Sequence, residues 1–169
     1  MATTVYIGLG SNLGNRERFL EEARRRIAEI EGIEVIATSS IYVTKPQDMQ
    51  PGTPNFLNQV IKADYACRPL ELLHALEAIE QTLGRQAKGD MQPRTIDLDI
   101  LLFGHETVAH DRLVVPHRSL LNRPFALIPL LEIDPELIHP ITGLRLAGRV
   151  RPKDYKKVEL YRDHVAREV

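Results

Sequence analysis

The stretch Thr95-Ile96-Asp97-Leu98-Asp99-Ile100-Leu101-Leu102-Phe103 reads as the clearest β-strand in the sequence, and its two acids pose the chemical question. Side chains alternate faces along a strand, so Asp97 and Asp99 share one side, with Cα atoms about 6.6–6.8 Å apart. Two carboxylates at that spacing repel by about 2.5 kcal/mol at an effective dielectric constant of 20. The apolar neighbours make the strand mostly buried, where such a pair calls for a cation. The plainer reading is a half-exposed strand with a solvated polar face. Against it, Leu101 and Phe103 continue the same face as apolar residues. A hard oxygen-ligand site for Mg²⁺, completed by water and substrate phosphates, fits better.

Working outward, Gly104–Val115 reads as a hairpin-like return, and Ser119–Ile133 as helical in its middle but interrupted by Pro124 and Pro129. Upstream, Leu72, Leu73, Leu76, Ile79 and Leu83 recur at helical spacing between Pro69, at home in a first turn, and Gly84, a stop. Phe56–Tyr65 and Glu34–Thr44 read as strands, the latter rich in β-branched residues. Phe19, Leu20, Ala23, Ile27 and Ile30 form one stripe of a helix over 16–30, with Asn15 as N-cap and Gly32 as stop. Val5–Leu9 is the first strand, and Gly8, Gly10 and Gly14 after it are expected to serve the backbone of a strand-to-helix turn. They match neither a dinucleotide fingerprint nor a P-loop, because the third glycine falls one place late and no Gly-Lys-Ser/Thr follows. The segments 45–55 and 86–93 read as long exposed loops, of the kind that often carry function.

The order strand, helix, strand, strand, helix, strand is that of an α+β, ferredoxin-like βαββαβ sandwich with a mostly antiparallel sheet and extra C-terminal hairpin and helix elements. Residues 1–149 are expected to form a single domain and 150–169 a charged C-terminal appendage. Such a fold does not by itself name a function.

The 169 residues suit one domain, and 43% apolar with 27% charged residues is a globular profile. Lys and Arg number 22 against 23 Asp and Glu, a balance that argues against non-specific nucleic-acid binding. Cys67 is the only cysteine, which excludes an intrachain disulfide and multi-thiolate metal sites. With no basic leader, no apolar signal core and no run near the ~18 residues of a membrane span, a cytoplasmic protein without membrane contact is expected.

Cations surround the acidic strand in sequence. Arg85, Lys88 and Arg94 precede it; Arg112, His117, Arg118 and Arg123 follow. Arginine forks together with Mg²⁺ are what phosphoryl chemistry demands, although each arginine taken singly reads as a solvated charge. Phe56 and Phe125 are candidates to stack on a flat ring, and Asn58 to read its polar edge; their plainer reading is core packing.

GLGSNLGN at 8–15, FLNQV at 56–60, LGR at 83–85, PRTIDLDILLFG at 93–104 and VPHRSLLNRPF at 115–125 occur in the order seen in one family. The chain resembles the 6-hydroxymethyl-7,8-dihydropterin pyrophosphokinases of folate biosynthesis over about residues 4–146. The resemblance implies transfer of the β,γ-diphosphate of ATP to the pterin hydroxymethyl group with release of AMP, by a monomer using two Mg²⁺ ions. It makes Asp97 and Asp99 the metal ligands, and Arg85 and Arg94 the catalytic arginines on the phosphates. Glu77, Glu80, Lys88, Ile100, Arg112, His117 and Arg123 join Arg85 and Arg94 on the ATP side. Thr44, Lys45, Phe56, Asn58, Asp97 and Phe125 fall on the pterin side. The family often carries Arg-Trp-Gly-Pro-Arg where this chain has Asp90-Met91-Gln92-Pro93-Arg94, so closure over ATP is expected to use other contacts. Two rival readings remain at this stage: a Mg²⁺-dependent nucleotidyltransferase, and a non-catalytic ferredoxin-like module that binds RNA or protein.

Overall fold

β1 (Thr3–Ser11) is the strand around which the sheet is assembled, pairing antiparallel with β4 (Phe56–Tyr65) on one side and β5 (Asp97–Phe103) on the other. The structure, a computed structural model, describes residues 2–45, 55–84 and 95–161. Between β1 and β4 come α1 (Arg16–Ala28), β2 (Ile33–Thr38) and β3 (Tyr42–Thr44); α2 (Pro69–Thr82) links β4 to β5. The strand order is β5-β1-β4-β3-β8, with β2 also on β4, where β8 is a two-residue strand at Glu159–Leu160. A separate ribbon joins β6 (Val108–Ala109) to β7 (Val114–Val115), and α3 (Pro124–Ile133) and the single turn α4 (Asp154–Lys157) complete the named elements. The mostly antiparallel ferredoxin-like arrangement expected from the element order is the one observed.

Local chemistry sets the element ends. The Asn15 side chain accepts the Arg18 N–H at 3.1 Å and caps α1, and Pro69 opens α2. The single strand expected over 34–44 is broken in two. Ser39 intervenes, donating its N–H to the Val60 carbonyl and accepting the Val60 N–H on its hydroxyl. Pro129 does not interrupt α3; Leu127, Ile128 and Leu130 around it are buried, so packing offsets the missing backbone bond.

One face of the sheet carries α1 and α2. Val5, Ile7, Leu9, Leu57, Ile61, Leu98 and Ile100 meet Leu20, Ile27, Leu72 and Leu76 there. The other face, with Tyr6, Val60, Leu101 and Leu102, is covered by Leu120, Leu127, Leu130 and Leu146. A bulge separates the two register frames of β5: Val5 pairs with Phe103 and Tyr6 with Leu102, but Ile7 with Ile100. The extra residue reverses the alternation, so Phe103 does not continue the aspartate face; it lies in the helix-side core, edge-on to Tyr65.

Part of the segment expected as an appendage contacts the sheet. Over Asp154–Tyr161 the chain returns to the domain: β8 pairs with β3, and the Tyr161 N–H donates to the Ile41 carbonyl. Nothing in the polar composition of 150–169 signalled this, because two-residue edge pairing needs no hydrophobic pattern.

Two carboxylates fasten α3 over the sheet. Glu132 accepts from the Ser40 N–H and hydroxyl and from the Tyr42 phenol, and Asp134 accepts from the Tyr6 phenol and lies 2.9 Å from Lys62 Nζ. Partial burial alone would raise the Asp134 carboxyl, but the bonds from Tyr6 and Lys62 outweigh it and hold the group below the usual carboxylate range. A depressed native pKa stabilises fully above the unfolded value and is lost as pH falls through the native one. Asp134→Asn is therefore expected to cost about 2 kcal/mol at neutral pH, and the gap in melting temperature should close in acid. A gap unchanged across pH would contradict an ionised bridge.

Candidate active site

Asp97 and Asp99 lie half-buried on the face of β5 that carries α3. The register places Gly10 of β1 opposite Asp97 and Gly8 opposite Asp99; one strand further, Asn58 lies opposite Gly10 and Val60 opposite Gly8. The absence of side chains at 8 and 10 leaves room above the sheet beside both acids. A Cβ on Gly10 would come within 3.2 Å of Asn58 Oδ1. These glycines are thus strand residues that clear a floor, which corrects the expectation of a turn; only Gly14, at φ +71°, serves the turn itself.

The space so cleared is a cavity of about 790 Å³. Asp97, Asp99, Arg123 and Phe125 line it from the β5–α3 side, and Thr44, Lys45, Phe56 and Asn58 from the β3–β4 side. All six residues expected on the pterin side are therefore brought to one cavity. Asn58 is 5% exposed and donates its amide N–H to the Thr44 hydroxyl at 2.9 Å, which fixes the rotamer of both and leaves the Asn58 carbonyl oxygen toward Gly10. The first residues of α3, Pro124 to Ala126, also line the cavity, adding the positive end of a helix dipole.

Nitrogen donors gather on Asp99. His117 Nε2 is 3.8 Å and Arg123 Nη1 3.9 Å from Asp99 Oδ2, just beyond hydrogen-bonding distance. His117 Nδ1 accepts the Ser119 N–H, which turns Nε2 toward the site, and the Arg123 guanidinium lies 5.6 Å from the Phe125 ring centroid. The donor set suits Mg²⁺: two carboxylates on one face, hard oxygens throughout. Among the described residues no group of three or more His, Cys, Asp or Glu could hold an ion alone, so the remaining ligands would be water and substrate oxygens.

The other expected residues are placed differently. Glu77 and Arg112 meet in an ion pair of 2.8 Å away from the cavity lining. Ile100 is 3% exposed, its side chain in the helix-side core. Glu80 is also 3% exposed and accepts the N–H of Leu98, the residue between the two aspartates, at 2.7 Å. Arg85, Lys88 and Arg94, with most of loops 45–55 and 86–93, lie outside the described residues. The flanking residues do meet, since a Cβ on Gly84 would be 3.8 Å from the Thr95 side chain. Sequence reasoning missed Lys156, Lys157, Val158 and Glu159, which line the cavity from the C-terminal segment. It also missed the floor role of Gly8 and Gly10, whose two-residue spacing inside a strand was a readable signal.

Residues 6–135 match the family described as 7,8-dihydro-6-hydroxymethylpterin-pyrophosphokinase (HPPK). The chain is 39% identical over 157 residues to the 2-amino-4-hydroxy-6-hydroxymethyldihydropteridine pyrophosphokinase of Haemophilus influenzae, covering 93% of this chain and 98% of that protein. It is 44% identical over 144 residues to the folic acid synthesis protein fol1 of Pneumocystis carinii, covering 85% of this chain but only 19% of that protein. Among solved structures, the HPPK-DHPS of Plasmodium falciparum superimposes with a TM-score of 0.68 at 14% identity, over 88% of this chain and 45% of that one, a likeness of fold.

Proposed function

The chain belongs to the 7,8-dihydro-6-hydroxymethylpterin-pyrophosphokinase family and moves pyrophosphate from ATP to a hydroxymethyl dihydropterin in folate synthesis; from that premise we propose which of its residues do the work. The observation that carries the assignment is a cavity with Asp97 and Asp99 on one wall and Asn58, Phe56 and Phe125 beside them.

The pterin ring stacks on Phe56 and Phe125, and Asn58 with Thr44 and Lys45 bonds its polar edge. Asp97 and Asp99 would hold two Mg²⁺ ions, which when bound supply charge screening for the triphosphate and acidify the pterin hydroxyl. Arg123 and His117 face the phosphates from the Asp99 side. Arg85 and Arg94 offset charge on the migrating diphosphate and the departing AMP, with Lys88, Glu77, Ile100 and Arg112 on the nucleotide side; for Ile100 only the main chain of the edge strand β5 is open to such a contact, and the buried Glu80 acts on the Leu98 main chain instead. The hydroxyl oxygen attacks the β-phosphorus in line, its bond to the α-bridging oxygen breaks, and a carboxylate oxygen of Asp97 or Asp99 takes the proton. A cytoplasmic monomer completes the proposal, and the free, exposed Cys67 is compatible with a reducing compartment.

Incubation with ATP, Mg²⁺ and the reduced hydroxymethylpterin tests it. AMP should form in step with the pterin diphosphate and fall to background when the pterin is left out. Release of pyrophosphate with a nucleotidyl-pterin would assign a nucleotidyltransferase instead, and binding without turnover a non-catalytic module.

A further inference from the structure

We propose that Lys156 and Lys157 bind the diphosphate that the pterin carries when it leaves, and so set product affinity rather than substrate affinity. This rests on the reading above and deepens it. Both residues lie beyond the family match, which ends at residue 135, and both line the same cavity as Asp97, Asp99 and Asn58.

They are delivered by a segment fixed at both ends. Before them, the Asp154 carboxylate, 9% exposed, accepts the Arg151 N–H at 2.8 Å and starts the turn of α4. After them, Val158 is 5% exposed and its N–H donates to the Asp154 carbonyl at 3.1 Å. Glu159 and Leu160 then pair with Val43 and Tyr42, and the Tyr161 N–H reaches the Ile41 carbonyl at 2.9 Å. The strand so covered is β3, whose Thr44 holds Asn58. The two lysines therefore enter the site from a wall whose position is tied to the ring-binding residues. Among the described residues neither is engaged in an ion pair.

Their chemistry suits only one of the two pterins. An ammonium group is a compact charge with three donors, well matched to phosphate oxygens and poorly to a neutral ring. The pterin arrives with an uncharged hydroxymethyl group and departs with a polyanionic diphosphate on the same carbon. Cations beside the ring pocket gain a partner on the pterin itself only with transfer, as the product loses its tie to the nucleotide.

The double variant Lys156→Ala/Lys157→Ala is titrated by calorimetry with three probes: the pterin diphosphate, the neutral hydroxymethylpterin and a non-hydrolysable ATP analogue with Mg²⁺. Affinity for the diphosphate should fall about tenfold, the neutral pterin and ATP analogue staying within about twofold. Lys156→Arg/Lys157→Arg should stay near wild type, and Lys153→Ala, exposed on the same turn but absent from the cavity lining, should change nothing. An unchanged diphosphate affinity, equal weakening of all three probes, or a loss confined to the ATP analogue would each overturn the assignment. Failure of the wild type to make AMP from ATP and pterin would instead strike the reading beneath it.

Discussion

Replacing Asp97 or Asp99 by alanine should lower turnover by about three orders of magnitude while leaving the fold standing. The two acids lie side by side on one face of β5, over Gly10 and Gly8, in a cavity that also holds the ring-binding residues. Neither belongs to the hydrophobic clusters on the two sheet faces, so truncation removes no core packing. It also relieves a like-charge repulsion of about 2.5 kcal/mol at most, so melting temperature should hold or rise slightly. Asp99 lies 3.9 Å from Arg123, so its loss removes a negative charge beside that guanidinium and should also strengthen metal-free ATP binding. Single-turnover rates with ATP and pterin, read with melting curves, check both statements. Near-normal turnover in a folded variant would remove that acid from the metal-binding role.

The fold was legible because period and punctuation agreed. Asn15, Pro69, Gly84 and the runs 56–65 and 95–103 each carried a local signal that the structure obeys. The misses share a cause: backbone events with no side-chain signature. The bulge that turns Phe103 to the other face, and the break at Ser39, are set by how β5 and β2 meet their neighbours. The pairing of β8 with β3 is an edge contact of two residues and leaves no periodicity to detect.

The candidate site divided in the same way. Alternation alone put Asp97 and Asp99 together, and short-range logic ends there. That Asn58 would sit across a glycine from Asp97, with Thr44 holding its amide, depends on the register of three strands that the sequence separates by up to about ninety residues. Glu80 shows the limit most directly. On the helix before Arg85 it reads as a nucleotide-side acid, yet its carboxylate is buried on the main chain of the strand that bears the metal-binding pair.

That placement makes Glu80→Ala the second large effect. The Leu98 N–H lies between Asp97 and Asp99 in the chain, and at 2.7 Å the Glu80 carboxylate fixes the path of β5 where both acids project. Truncation leaves a buried donor without its acceptor and a void beneath the strand, together costing about 3 kcal/mol or more. A loss of stability alone would be consistent with packing. Positioning predicts more: below the melting temperature, with nucleotide saturating, turnover should still fall about tenfold, and half-saturation by Mg²⁺ should move upward by a similar factor. Glu80→Gln keeps an oxygen at the same reach, so it should restore the Mg²⁺ dependence even where part of the stability remains lost. Glu80→Ala with wild-type turnover and Mg²⁺ dependence in the folded protein would confine the residue to packing, and Glu80→Gln as impaired as Glu80→Ala would require the negative charge rather than the bond.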